Sequence, residues 1–295
     1  LDSREKAILL KWIDQGAEWK DHWSFIPPKK KDLDSEAFPG LTNPIDQFVK
    51  LKLDEKGLDF SSPASKETLI RRITFDLTGL PPSLEEINSF IENPDENVYE
   101  KLIDRLLSTD AHAERLTVNW MDLSRYADSH GLHADGARTM WPWRDWVLEA
   151  IKSNMPYDQF VTWQIAGDLL PDATTTQKLA TAFNRNTPMT AEGGVVDEEW
   201  RLNYVFDRTE TISTAFLGLT VACAKCHDHK FDPISQKDYY QLTSFFNNIR
   251  ELGMTGDDGD YGPLLALPDA ETQSKIDKIN KDINSIEKNI SLTKK

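Results

Sequence analysis

The stretch EEWRLNYVFDRTETISTAFLGLTVACAKCH, residues 198–227, decides the reading of this chain. Residues 198–218 read as one long helix closing near Gly218, and the helix delivers the chain directly into Cys223-Ala224-Lys225-Cys226-His227. These are the only two cysteines in 295 residues. Disulfide scaffolds spread their cysteines along the chain, so two used as a close pair point to chemistry.

C-x-x-C-H is the spacing of covalent c-type haem attachment. The two thiols add to the haem vinyl groups and the adjacent histidine reaches the iron from the proximal side. Three other uses compete. A zinc site could draw on Cys223, Cys226, His227 and His229, but structural zinc sites usually bring ligand pairs from separate segments, and four ligands within seven residues crowd a tetrahedron. A thioredoxin-like redox pair needs a βαβ context, for which the sequence gives no sign. A disulfide across so short a loop is strained. The motif therefore predicts one covalent haem c on Cys223, Cys226 and His227, and with it a periplasmic or extracellular location.

Upstream and downstream, the pattern is helical. Residues 4–19 place Ile8, Leu9, Trp12 and Ile13 on one face, with Gly16 as the stop. Residues 26–42 read as a linker. Asn43-Pro44 is a cap followed by proline at the first helical position, and Ile45, Phe48, Val49 and Leu53 supply the apolar face. A helix follows over 65–77, then a break at GLPPS, then a capping box of Ser83 and Glu86. Residues 98–107, the Trp-rich stretch 112–170, a short helix at 177–183 and another at 236–248 continue the pattern. Residues 253–270 form an acidic, glycine-rich loop. Asp257, Asp258 and Asp260 there lack the spacing of a calcium loop and read as a solvated turn. Isoleucines at 276, 279, 283, 286 and 290 have coiled-coil spacing, giving a helical arm over 271–295. The expected fold is mainly α: an irregular multi-helix c-type haem domain over 43–252, with long loops and a coiled-coil-like arm.

Composition narrows the partners. The formal net charge is -15 and the pI near 4.9, whereas nucleic-acid binding needs clustered Lys and Arg. No stretch approaches the ~20 apolar residues of a membrane helix. An acidic surface can steer a basic redox partner. The chain opens on what reads as a folded helix, so it is expected to begin inside a longer precursor.

The segment CAKCHDHKFDPISQKDYYQLTSFFNN (223–248) resembles the C-terminal signature of the planctomycete cytochrome-like family DUF1549, or PSCyt2. LIRRITFDLTGLPPS (69–83), YEKLIDRLLS (99–108), WMDLSRYADSHG (120–131), MWPWRDWVLEA (140–150), QIAGDLLP (164–171) and AEGGVVDEEWRLNYVFDR (191–208) resemble that family in the same order. Residues 1–25 resemble the last helix of a cytochrome c domain, PSCyt1. The resemblance implies an exported haem protein flanked by that domain upstream and a DUF1553-type domain downstream, without a settled activity.

The second axial ligand of the iron is the open position. Met189, in the loop NTPMTAEGG, offers a thioether. Family members often carry a histidine in this stretch, where this chain has Asn184, Thr187 and Met189. His130 and His133 are the next candidates. His229 suits a propionate contact or an orienting role. Arg144, Arg185, Arg201 and Arg208 are candidates for the haem propionates, Arg185 and Arg208 foremost, and Trp141 and Trp143 for the haem wall. The expected function is electron transfer between an upstream cytochrome domain and a partner protein. The alternatives are a peroxidase- or oxidase-like haem enzyme with an open distal side, where His130 or His133 acts as acid or base, and a haem-bearing assembly module.

Overall fold

A computed structural model describes residues 1–20, 22–31 and 38–293. The part of the expected linker at 32–37 lies outside the described residues. Twelve α-helices and no strand occur among the described residues, as the helical periodicity required. By contacts the chain divides into Leu1–Ala64 and Ser65–Lys295.

In the first unit, α1 (Ser3–Asp14) starts at a capping box of Asp2 and Glu5 that the sequence reading passed over. Its apolar face is exposed: Ile8, Leu9, Trp12 and Ile13 keep 37–59% of their surface. α2 (Pro44–Asp54) begins as predicted, with the Asn43 side chain accepting from the Ile45 amide and Pro44 at its first position.

The second unit holds two separate cores. α3 (Lys66–Thr78), α4 (Leu84–Glu92) and α5 (Val98–Leu107) close around Ile70, Phe90, Leu102 and Leu106. Gly79 ends α3 in the left-handed conformation that glycine adopts without strain, and Ser83–Glu86 caps α4 reciprocally. The larger core is aromatic. α6 (Asp110–Ser124), α7 (Trp141–Lys152), α8 (Tyr157–Ala166), α9 (Thr175–Ala180) and α10 (Asp197–Ile212) pack Trp143, Trp146, Val147, Phe160, Phe183 and Val205 together. Full burial of each such side chain contributes ~1.5–3 kcal/mol. The indole nitrogens are satisfied: Trp143 donates to the Ala180 carbonyl at 3.1 Å and Trp120 to Gln164 Oε1 at 2.9 Å. Trp143, a candidate for walling a cofactor, is therefore a core residue.

α10 is shorter than the helix read from sequence. It gives way to a π-helical turn, Ser213–Leu217, and the chain reverses at Gly218 (φ 65°). A 3₁₀ turn, Ala222–Lys225, carries the cysteines, and α11 (Gln236–Ser244) follows. α12 (Ala270–Thr293) is one continuous helix whose isoleucines 276, 279, 283, 286 and 290 are 36–58% exposed.

The acidic loop is more than a solvated turn. Asp258 Oδ1 accepts from the Ala137 amide at 2.9 Å, Asp260 Oδ1 from Thr139 at 2.5 Å, and the Gly259 amide donates to the Ala137 carbonyl at 3.0 Å. Residues 252–261 thus form a strap latched onto the loop 128–139. The approach is close enough that a β-carbon on Gly136 would sit 1.4 Å from the Asp257 carbonyl oxygen. Gly136→Ala is expected to destabilise the chain by ~1–3 kcal/mol, as overpacking does. Gly193→Ala, with open space around it, serves as the neutral control in chemical denaturation.

Candidate functional site

The Cys223–His227 turn is built at the surface. Ala224 is fully buried against Val221 and Tyr239, and this anchoring turns both thiols outward, where they are exposed and unpaired. Lys225 Nζ lies 3.9 Å over the Phe206 ring, and the Lys225 carbonyl accepts from Tyr240 Oη at 3.1 Å and Gln236 Nε2 at 3.2 Å. The turn therefore rests on one face of α10 and on α11. Tyr239 completes this seat, its hydroxyl donating to Glu210 at 3.1 Å, and burial pushes the Tyr239 phenol well above its ordinary range.

His227 is exposed, and its Nδ1 lies 2.8 Å from the Asp228 carbonyl. A carbonyl can only accept, so Nδ1 carries the proton and Nε2 keeps its lone pair for a ligand. His229 has the opposite tautomer: its Nδ1 accepts from the Asp232 amide at 2.9 Å, which fixes the loop after the turn. Cys223, Cys226, His227 and His229 do not converge as a metal-holding group, and no set of three His, Cys, Asp or Glu side chains does so among the described residues. Beside the turn lies a cavity of about 160 Å³ lined largely by Leu217, Leu219, Val221, Ile234, Tyr239 and Leu242. That is below the ~300–1,000 Å³ of pockets that enclose a drug-sized ligand, so this cavity does not enclose a group of that size.

The other sequence candidates form a different cluster. Met189 is buried, its amide donating to the His130 carbonyl at 2.7 Å, with Arg185 Nη2 at 3.9 Å from its sulfur. Thr190 next to it donates from its amide to Tyr204 Oη at 2.9 Å. Arg208 binds both oxygens of Glu251, each at 2.5 Å, and Arg185 reaches the same carboxylate at 3.0 Å. Tyr204 and Arg208 project from one face of α10, while Phe206 and Glu210 project from the opposite face toward the cysteine turn, since two residues on a helix are about 200° apart. The helix, ~10 Å across, thus separates Met189, Arg185 and Arg208 from Cys223–His227. Met189 is not brought to the turn as a sixth ligand, and Arg185 and Arg208 are committed to Glu251.

The remaining candidates are dispersed. His130 is buried, its Nε2 donating to the Gly259 carbonyl of the strap at 3.1 Å, with Nδ1 unpartnered. Burial, helped by the nearby Arg138, lowers its pKa. His133 sits in an exposed turn (φ 56°). His112 is tied at 2.9 Å to the Leu77 carbonyl, Arg144 pairs with Asp145, Arg201 with Glu198, and Trp141 is half exposed. Glu251, whose side chain is fully buried, escaped the sequence reading because a single Glu after a helix carries no pattern.

Comparison with known proteins gives one match. The family model PSCyt2, described as a protein of unknown function (DUF1549), matches residues 44–251. The chain belongs to this family. No curated protein and no solved structure matches it. The PSCyt2 match takes in the cysteine turn and the Arg208–Glu251 cluster alike, and among the described residues no helix is long and apolar enough to cross a membrane.

The Arg208–Glu251 cluster and the buried His130 each carry a prediction. Glu251→Gln leaves two buried guanidiniums without their shared carboxylate, and is expected to cost ~3–5 kcal/mol, read as a lower urea midpoint at unchanged slope. For His130, burial lowers the pKa of the folded chain below the value near 6.5 of the unfolded one, so below about pH 6.5 the unfolded state binds more protons and stability falls. Amide exchange at Thr255 and Gly259 in the strap, corrected for intrinsic rates, is expected to quicken over that window. His130→Gln is expected to flatten the response, and a pH-independent wild type would contradict the assignment.

Proposed function

We propose that this PSCyt2 chain carries one covalent haem c on Cys223, Cys226 and His227 and works in electron transfer outside the cytoplasm. The observation that supports it is the state of the turn: two exposed, unpaired thiols on one 3₁₀ turn, followed by a histidine whose Nδ1–H is held by a carbonyl and whose Nε2 is left for iron. A hydrogen bond from the other ring nitrogen is what orients a metal-bound histidine and raises its basicity. Cys223 and Cys226 would hold the group through thioethers, and His227 would ligate it. When bound, the haem supplies a one-electron Fe(III)/Fe(II) couple.

The chain's own residues suit that role. Ala224 and Tyr239 fix the turn against α11, and Lys225 locks it to Phe206 on α10, so the attachment point is rigid. Exposure of the turn, with Phe231 beside it at 82%, leaves an edge for contact with a partner protein. The net charge of -15 favours a basic partner, with association that weakens as salt rises. The upstream and downstream domains that the family resemblance implies are the natural neighbours in such a relay.

A second reading, a haem enzyme with an open distal side, draws on two observations: Met189 is held behind α10, and His130 is engaged with Gly259. Expression with export and intact cytochrome maturation tests both. A Soret band and haem that stays with the polypeptide on a denaturing gel are expected for the wild type, and loss of both for Cys223→Ala/Cys226→Ala. No covalent haem in the wild type would end the proposal. Low-spin iron slow to take cyanide supports the relay, and high-spin iron that binds cyanide at once supports the enzyme. Because of its position, Met189→Leu is expected to leave the spectrum unchanged.

A further inference from the structure

A narrow cleft lies between the end of α6, the loop after α9, and α10. Ser124, Arg125, Asn184, Asn186, Arg208 and Thr211 line it. Asn186 is 2% exposed, yet neither its amide nitrogen nor its oxygen has a partner. Asn184 donates to the Gln164 carbonyl at 3.1 Å while its oxygen is bare. Buried amide atoms are nearly always satisfied in folded chains, so two adjacent asparagines with open positions facing one cleft point to a missing polar occupant.

The charge balance gives its sign. Arg138, Arg185 and Arg208 are largely buried around this loop, and the buried carboxylate of Glu251 serves only the last two. Arg138 rests on the carbonyls of Ala127, Asn186 and Thr187. Asp128, Asp135 and Asp260, the acidic groups that act on it, are exposed and outside ion-pair contact. Desolvation, with repulsion from Arg208 and Arg138, lowers the pKa of Arg185 to about 10. The interior here carries excess positive charge, a costly arrangement unless an anion completes it.

The mouth is closed by a cation. Arg125, in the left-handed region (φ 57°), lies across it and binds both oxygens of Asp207 and the Thr211 hydroxyl. Arg125 is part-exposed, so opening the mouth exchanges this bidentate tie for contacts to a ligand and to water. No water-sized sphere fits inside the cleft as it stands, so a ligand enters only once Arg125 swings aside.

We propose that this cleft binds a small oxyanion bearing hydroxyl groups, with the anionic head between Arg125 and Arg208 and hydroxyls donating to Asn184 and Asn186. Arg208 spends three N–H groups on Asn184 and Glu251, and a guanidinium has five, so two remain. The site is independent of the haem reading, since α10 separates the two.

Calorimetric titration and thermal unfolding of the full chain test it, with glycerate, inorganic phosphate and glycerol at ionic strength held constant with chloride. One-site binding of glycerate or phosphate, with a melting temperature that climbs with concentration, is expected, and no response to glycerol. Glycerate binding more tightly than phosphate assigns the hydroxyl contacts to the asparagines; phosphate binding as well assigns recognition to the anion alone. Arg125→Gln, a surface change, should weaken binding at least tenfold. Asn186→Asp should supply the missing charge, raising the melting temperature without ligand and abolishing the anion response. No anion binding above the chloride control overturns the proposal, as does binding that survives both variants. A lowered melting temperature in Asn186→Asp overturns the charge argument.

Discussion

The Arg208–Glu251 pair is the interaction around which the second unit is arranged. Both side chains are essentially out of water, and both carboxylate oxygens of Glu251 accept from Arg208. The pair fastens α10 to the segment after α11, and Arg208 Nε adds the Asn184 carbonyl at 2.6 Å. Arg185 extends the tie to the strap through the Tyr261 carbonyl at 2.8 Å. A buried ion pair of this kind gains little over an apolar replacement, but removing one partner is costly. Its effect is to fix a single arrangement of three loops that share no regular secondary structure.

That arrangement makes α10 a partition. One face gathers Tyr204 and Arg208 with the loop of Met189 and the strap; the other gathers Phe206 and Glu210 with the cysteine turn and α11. The π-helical turn at Ser213–Leu217 follows at once, and such turns widen the helix and redirect the chain. The reversal at Gly218 then carries the cysteines back along the α10 face away from Arg208. Two chemical environments, one wet and thiol-bearing, one buried and cationic, thus share a single wall.

Much of the helical scaffold was legible because its signals are local. Asn43-Pro44, the Ser83–Glu86 box and Gly79 each act within four residues, and each ended or began a helix where expected. The Cys223-x-x-Cys226-His227 spacing is equally local, and the structure sets both thiols at the surface. Proximity in sequence misled where packing decides. Met189 precedes the cysteines by a single long helix, yet that helix is what separates them. Arg185 and Arg208 stood as candidates for the haem propionates because Glu251, their partner, is forty or more residues away and stands in no motif. The strap read as solvated because its aspartates bond backbone amides 121 positions away, a pairing with no periodicity to betray it.

The position of the turn bears on how a cofactor would relate to folding. In a site where the ligands form only around a bound metal, binding energy is folding energy. Here the aromatic core of α6 to α10 excludes the cysteines, and the turn is held by Ala224, Tyr239 and the Lys225–Phe206 contact. A haem attached to exposed thiols would add to a scaffold that already stands, and its loss would leave the core in place. The same layout keeps any redox change on the surface of α10 and α11 away from the Arg208–Glu251 cluster. Communication between the two sites would then have to pass through movement of α10 itself, which the aromatic core, with Val205 wholly buried in it, resists.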